Sequence, residues 1–134
     1  MSTLKLDTLS NKAGTASVPS DTIVSGTAKA WVNFNGPGTV ALRANFNVSS
    51  ITDLASGEYQ VNFTTAMPDA NYATNVTSST NNNYDSDGFS MAAVLSNLAT
   101  PHVTTTYVRV GASLAANGNG NDAGAVCMNV SIFR

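Results

Sequence analysis

GEYQVNFTT, residues 57–65, alternates with a period of two. Tyr59, Val61 and Phe63 fall on one side, and Glu58, Gln60, Asn62 and Thr64 on the other, the pattern of a half-buried strand. The alternation recurs on both sides of this stretch. In 28–34, Ala28, Ala30, Val32 and Phe34 alternate with Lys29, Trp31 and Asn33. Along 40–48 an apolar face of Val40, Leu42, Ala44, Phe46 and Val48 opposes Arg43, Asn45 and Asn47. Residues 125–133 put Val126, Met128, Val130 and Ile132 on one face, and further strands are predicted near 72–78 and 103–112. Segment 89–98 fits a helix through Met91, Val94, Leu95 and Leu98 and a strand through Phe89, Met91, Ala93 and Leu95; its short length and flanking turn residues favour the strand. Turns are predicted at 35–38, 53–57, 67–71, 81–88, 97–101 and 117–124, where Gly, Pro, Asn and Asp cluster. Glu occurs once and Lys three times, so strong surface helix formers are scarce. Seven or so short strands at this spacing predict an all-β chain built as an antiparallel β-sandwich.

Residues 1–26 differ from the rest. Apart from Leu4, Leu6, Leu9, Val18, Ile23 and Val24 they are small or polar, with Gly14, Pro19 and Gly26 as breaks. So little apolar surface predicts an extended N-terminal arm that must dock on something, with Leu4, Leu6 and Leu9 as its contacts. The division expected is an arm, 1–26, and a head, 27–134.

Fourteen of the 134 residues are charged, 10%, against about 25% in ordinary domains. Asn, Ser and Thr take their place and make up 47 residues. A net charge of −2 without a basic run lacks the electrostatic footprint of a nucleic-acid or anionic-membrane partner. No apolar stretch approaches the ~20 residues of a membrane-spanning helix, and Lys5 and Asp7 stand where a signal peptide would carry its apolar stretch. The single cysteine, Cys127, rules out an internal disulfide or a cysteine metal cluster. A neutral amide and hydroxyl surface suits weak binding to polar, uncharged matter.

Nothing selects a catalytic group. His102, the only histidine, has no sequence context supplying the partner that would orient it. Most of the eight acids lie in predicted turns, where Asp bends the backbone, and no pair stands out as a glycosidase dyad. In NNNYDSDG (81–88), Asn83, Asp85, Asp87 and Gly88 match the opening of a calcium loop, but Val94 occupies the position of the bidentate Glu. The stretch therefore reads as a polar loop, with Tyr84 as an aromatic able to stack on a sugar ring. The run NGNGND, with Asn117, Asn119, Asn121 and Asp122, suits a long tip loop. Tyr84, Asp85, Asp87 and these four residues are the expected ligand-binding positions, because binding usually resides on loops carried by a rigid scaffold. Trp31, Cys127 and Phe133 fall on nominally outward strand faces; contact with another subunit and burial between two sheets both account for them. The expectation is a protein without cofactor, metal or enzymatic activity.

Over 26–73 the sequence resembles the C-terminal head of tail-fibre proteins of tailed bacteriophages, particularly marine podovirus-like ones. The residues that carry the resemblance are AWVNFNG (Ala30–Gly36), FNVSSITD (Phe46–Asp53), GEYQVNFTTAMPDANYA (Gly57–Ala73) and the terminal VSIFR (Val130–Arg134). The arm's LKLDTLSNKAG (Leu4–Gly14) is similar to a segment, roughly L-x-V-D-x-I/L-x-N-x-x-G, near the start of short virion fibre proteins. Together these cover about half the chain, and the middle, 78–124, matches in general character alone. The resemblance implies a β-sandwich head, trimeric, on an arm that docks on other virion proteins, placed on the tail or capsid surface and binding host-surface polysaccharide. The chain lacks the long shaft of a full tail fibre, and its leading Met and complete arm read as a separately encoded small fibre. The same features also fit a capsid or tail decoration protein that binds no receptor. A glycan depolymerase ranks last.

Overall fold

A computed structural model describes residues 2–36, 38–55, 57–79, 89–95, 100–115 and 127–134. They form an all-β chain with one short helix. The arm holds β1 (Thr8–Ser10), β2 (Ser17–Pro19) and α1 (Ser20–Gly26). Two larger antiparallel sheets follow, in the orders β4-β3-β10-β7 and β5-β6-β9-β8. Their strands are β3 (Ala28–Asn35), β4 (Ala41–Phe46), β5 (Val48–Ala55), β6 (Glu58–Phe63), β7 (Ala73–Ser79), β8 (Phe89–Val94), β9 (Tyr107–Ala115) and β10 (Cys127–Phe133).

The core follows from the alternation. Ala30, Val32 and Phe34 of β3 and Met128, Val130 and Ile132 of β10 are buried, as are Tyr59, Val61 and Phe63 of β6 and Val108, Val110 and Ala112 of β9. These side chains, with Val48 and Met67, make one cluster drawn from both sheets. Phe34 meets Tyr59 edge to face, with ring centroids 5.2 Å apart, so the inner faces of β3 and β6 pack on each other. Burial, and secondarily Asp53, raises the Tyr59 phenol above its ordinary value. Segment 89–94 is a strand paired with β9, as its length and flanks predict.

The stretch 40–48 departs from its expected single apolar face. Asn33 pairs with Ala44 whereas the next residue, Phe34, pairs with Leu42, so β4 spends one extra residue, Arg43, at a bulge. One inserted residue inverts the parity of everything beyond it. Leu42 therefore lies opposite buried Phe34, while Ala44 and Phe46 lie opposite outward-facing Asn33 and Trp31. Every residue of β4 is exposed. The strand is also at the edge of its sheet, with one unpaired row of backbone donors and acceptors.

Asn47 then turns the chain from the first sheet into the second, with φ at +55°. Asn is among the few side-chain-bearing residues that enter this left-handed region readily. Its amide donates to the carbonyls of Lys29 (3.1 Å) and Thr65 (3.1 Å), and its Oδ1 accepts from the Thr65 N–H (2.8 Å). The corner is thus tied to β3 and to the segment after β6. The following strand, β5, was not foreseen as a separate element: the predicted turn began at Asp53, but the strand continues to Ala55. Two register shifts, at Val48/Ser50 and Asp53/Ala55, hide its alternation.

The arm is also corrected: it is not simply extended. Its turn is organised by Asn11, whose Oδ1 accepts the N–H groups of Thr15 (3.0 Å) and Ala16 (3.3 Å), with Gly14 at φ +68°. Pro19 stands just before α1 and Gly26 ends it, consistent with their reading as breaks. From Ser2 to Thr27 all residues are exposed except half-buried Val18 and Ser20.

Candidate functional site

The outward face of β5–β6–β9 carries a continuous polar network. Register places Thr52, Gln60 and Arg109 side by side, and Ser50, Asn62 and Tyr107 in the adjacent row. Arg109 donates from Nε to Gln60 Oε1 (3.1 Å), and Gln60 Nε2 donates to Asn62 Oδ1 (2.8 Å). Asn62 Nδ2 in turn donates to Thr52 Oγ1 (2.9 Å) and Ser50 Oγ (3.1 Å). The Arg109 guanidinium lies over the Tyr107 ring, 5.5 Å from its centroid, and Tyr107 donates its hydroxyl to the Pro101 carbonyl (3.2 Å). These contacts fix the side chains before any ligand arrives.

Donors dominate what the network leaves over. Asn62 uses its carbonyl and both amide protons, while Arg109 has spent only Nε within the network, leaving its terminal nitrogens outward. Ser50 and Thr52 accept from Asn62 and each keeps a hydroxyl proton to donate. The face presents a guanidinium and two hydroxyls beside a half-buried ring and amides, with Glu58 as the neighbouring charge on β6. Such a surface can donate to several oxygens of a polyhydroxylated ligand.

Beneath this face the backbone is tightly constrained. Gly57, at φ +75°, receives the Ala112 N–H on its carbonyl (2.8 Å), and a Cβ there would come 2.5 Å from the Ala112 carbonyl oxygen. Tyr72 reaches across to the turn that launches β9 and donates to the carbonyls of Thr104 (2.9 Å) and Tyr107 (3.2 Å). Burial pushes its phenol up to about 12. The strand expected over 103–112 accordingly starts later, at Tyr107, because Thr104 Oγ1 holds the preceding turn by accepting the N–H groups of Thr106 and Tyr107.

On the other sheet, β3–β10–β7 carries an outward ladder of its own. Asn33 Nδ2 donates to Asn129 Oδ1 (2.6 Å) and to Cys127 Sγ (2.8 Å), and Asn129 Nδ2 reaches Thr77 Oγ1 (3.4 Å). Trp31, 39% exposed, sits in the next row beside Phe46, 53% exposed. Of the expected subunit contacts, Trp31 and Cys127 share this face. Phe133 keeps the same phase along β10, opposite Ala73 as Cys127 is opposite Ser79, and the register shift beside it skips Lys29 on β3.

No protein-family model, curated protein or solved structure matches this chain. The expected ligand-binding residues Tyr84, Asp85, Asp87, Asn117, Asn119, Asn121 and Asp122 lie outside the described residues. Leu4, Leu6 and Leu9 are exposed. His102 Nδ1 is buried without a hydrogen-bond partner, and the residue's carbonyl accepts the Arg109 N–H (2.8 Å). Among the described residues no three His, Cys, Asp or Glu side chains come together. Sequence reasoning had placed Gln60 and Asn62 on the solvent side of their strand. It had no signal joining them to Arg109, 49 positions away.

Proposed function

We propose that the protein is a non-enzymatic virion fibre component whose β-sandwich head attaches to host-surface polysaccharide. Its arm, residues 1–26, joins the head to an assembly, and three copies form the working unit. The two antiparallel sheets over one core support the sandwich architecture, and the sequence resemblance over 26–73 supports the virion setting.

One observation carries the binding role: the pre-ordered row Arg109–Gln60–Asn62–Thr52, with Tyr107 under the guanidinium. Sugar hydroxyls present acceptors in closely spaced pairs, and a fixed set of donors meets them at little ordering cost. Tyr107 adds an apolar ring surface beside the donors. The loops carrying Tyr84 and Asn117–Asp122 are the second place for contacts in this reading.

The test is binding to a panel of purified neutral and acidic bacterial surface polysaccharides on a biosensor. Wild type binds at least one of them, Arg109→Ala or Asn62→Ala weakens that binding about tenfold or more, and Thr77→Ala, on the opposite sheet, leaves it intact. Absence of binding across the panel would sink the receptor role and leave the alternative, a capsid or tail decoration protein whose exposed arm is its only attachment. Release of reducing ends would instead make it a depolymerase.

A further inference from the structure

Nine large hydrophobic side chains are exposed among the described residues, and they fall into two groups. Leu4, Leu6, Leu9, Ile23 and Val24 belong to the arm. Trp31, Leu42, Phe46 and Leu54 lie on β3, β4 and β5, along the flank where the two sheets are joined through Asn47. Both groups are unpartnered within one chain, and each is what the other lacks.

We propose that this flank is the seat for the N-terminal arm of a second copy of the protein. The flank combines apolar surface with an unpaired edge. β4 is the outermost strand of its sheet; its edge carries the Arg43 bulge and no proline. Exposed edges of this kind accept an added strand. The arm supplies a suitable one: Leu4 and Leu6 alternate with Lys5 and Asp7, so one side of residues 4–7 is apolar and the other charged. Laid along the free edge of β4 with its apolar side on the outward face, the segment sets a leucine beside Phe46, in the row that Phe46 shares with Trp31, and Lys5 and Asp7 take the other side of the strand.

The arm of the same chain does not fill this role. It folds on itself through the Leu9–Val18 and Thr8–Pro19 pairs of β1 and β2 and leaves its leucines exposed. Area favours exchange between copies. With full side-chain surfaces of about 150–250 Å², the fractional exposures of these residues leave roughly 350 Å² on the flank and roughly 500 Å² on the arm. One seat then covers about 800 Å², below the size of a stable specific interface. A reciprocal exchange between two copies puts both seats in one interface of about 1,600 Å², the standard size, while a ring holds each copy through two contacts of about 800 Å². Because donor and acceptor surfaces differ, successive copies form a closed ring when the rotation permits.

The inference rests on the arm's role as the attachment segment proposed above, and not on polysaccharide binding. It is tested on the full chain by native mass spectrometry and by the emission of Trp31, the only tryptophan. Wild type should be an oligomer of the 13.8 kDa chain, with Trp31 emission shifting to the red on dilution. Phe46→Asp on the flank and Leu6→Asp on the arm should each raise the dissociation constant about tenfold or more, with circular dichroism unchanged. Because both sites are exposed, neither variant disturbs the core. Pairing Phe46→Asp with Leu6→Lys should recover part of the assembly. A monomeric wild type overturns the proposal, as does an oligomer that survives both substitutions. Sensitivity to Phe46→Asp alone would also overturn it, since flank would then meet flank. Arg109→Ala should keep the oligomer while losing polysaccharide, so failure of the binding role is distinguishable from failure of arm exchange.

Discussion

The two outward faces of the head are built by the same device and finish differently. On each, polar side chains donate across the ladder: Asn33 to Asn129 on one sheet, Arg109 to Gln60 and Asn62 to Thr52 on the other, where Gln60 to Asn62 joins them along β6. The ladder on β3–β10–β7 ends against Trp31 and Phe46, an apolar margin. The ladder on β5–β6–β9 ends in a guanidinium and two hydroxyls. Both inner faces are interchangeable in kind, valines and aromatics packed at a common core, so burial does not distinguish them. What distinguishes them is carried by the polar half of each alternation, where a side chain is free to vary without cost to the core. In the function proposed above, one face serves assembly and the other a hydrated ligand.

The largest test removes the ground both faces share. Phe34→Ala should cost about 3–5 kcal/mol through the lost ring and the cavity it leaves, measured by urea denaturation. Both faces should be lost in one transition; separate transitions for the two sheets would show that the core does not couple them. Gly57→Ala acts on the polar face selectively. A left-handed backbone with a clashing Cβ should cost about 1–3 kcal/mol. Hydrogen exchange should quicken along β6 and β9 while β3 and β10 keep their protection; uniform loosening would break the distinction.

The smallest effect is electrostatic. The Tyr72 phenol, pushed up to about 12 by burial, holds the turn that launches β9. Since its folded value exceeds the unfolded one near 10, its stabilising contribution is complete below pH 10 and is lost as pH rises from there through about 12. Tyr59, also raised, adds to the same alkaline decline. Urea midpoints measured from pH 8 to 11.5 should fall for wild type and fall less for Tyr72→Phe. Equal slopes would exclude Tyr72 as a cause.

The inner faces were legible from sequence wherever pairing is regular. In β3, β6 and β10 the period-two rule names the buried residues correctly, because nothing interrupts parity between Ala30 and Phe34, Tyr59 and Phe63, or Met128 and Ile132. It fails at Arg43, where one bulged residue sends Phe46 to the solvent side. It fails again in β5, where two register shifts scatter the inward positions. Bulges leave little trace in composition, since they depend on a partner strand that the local sequence does not contain. The arm's hairpin was hidden for a different reason: it is held by the Asn11 side chain, a local hydrogen-bond pattern with no hydrophobic signature. As for the candidate site, alternation supplied its polar members, and only the β6–β9 register brought Arg109 to them.

The arm enters the head at Ala28, the first residue of a strand hydrogen-bonded on both sides, and Ala28 lies beside Phe133 at the chain's other end. The head therefore answers force according to direction. Tension between the arm and the Cys127 end of β10 loads the β3–β10 ladder in shear, with its bonds sharing the force at once. Tension between the arm and Arg134 pulls two neighbouring strand ends apart and opens the β3–β10 ladder one pair at a time. Since forced unfolding follows the barrier to the unfolded state, a head held by its arm and gripped at the opposite end withstands a pull that would unzip it if gripped at its C-terminus.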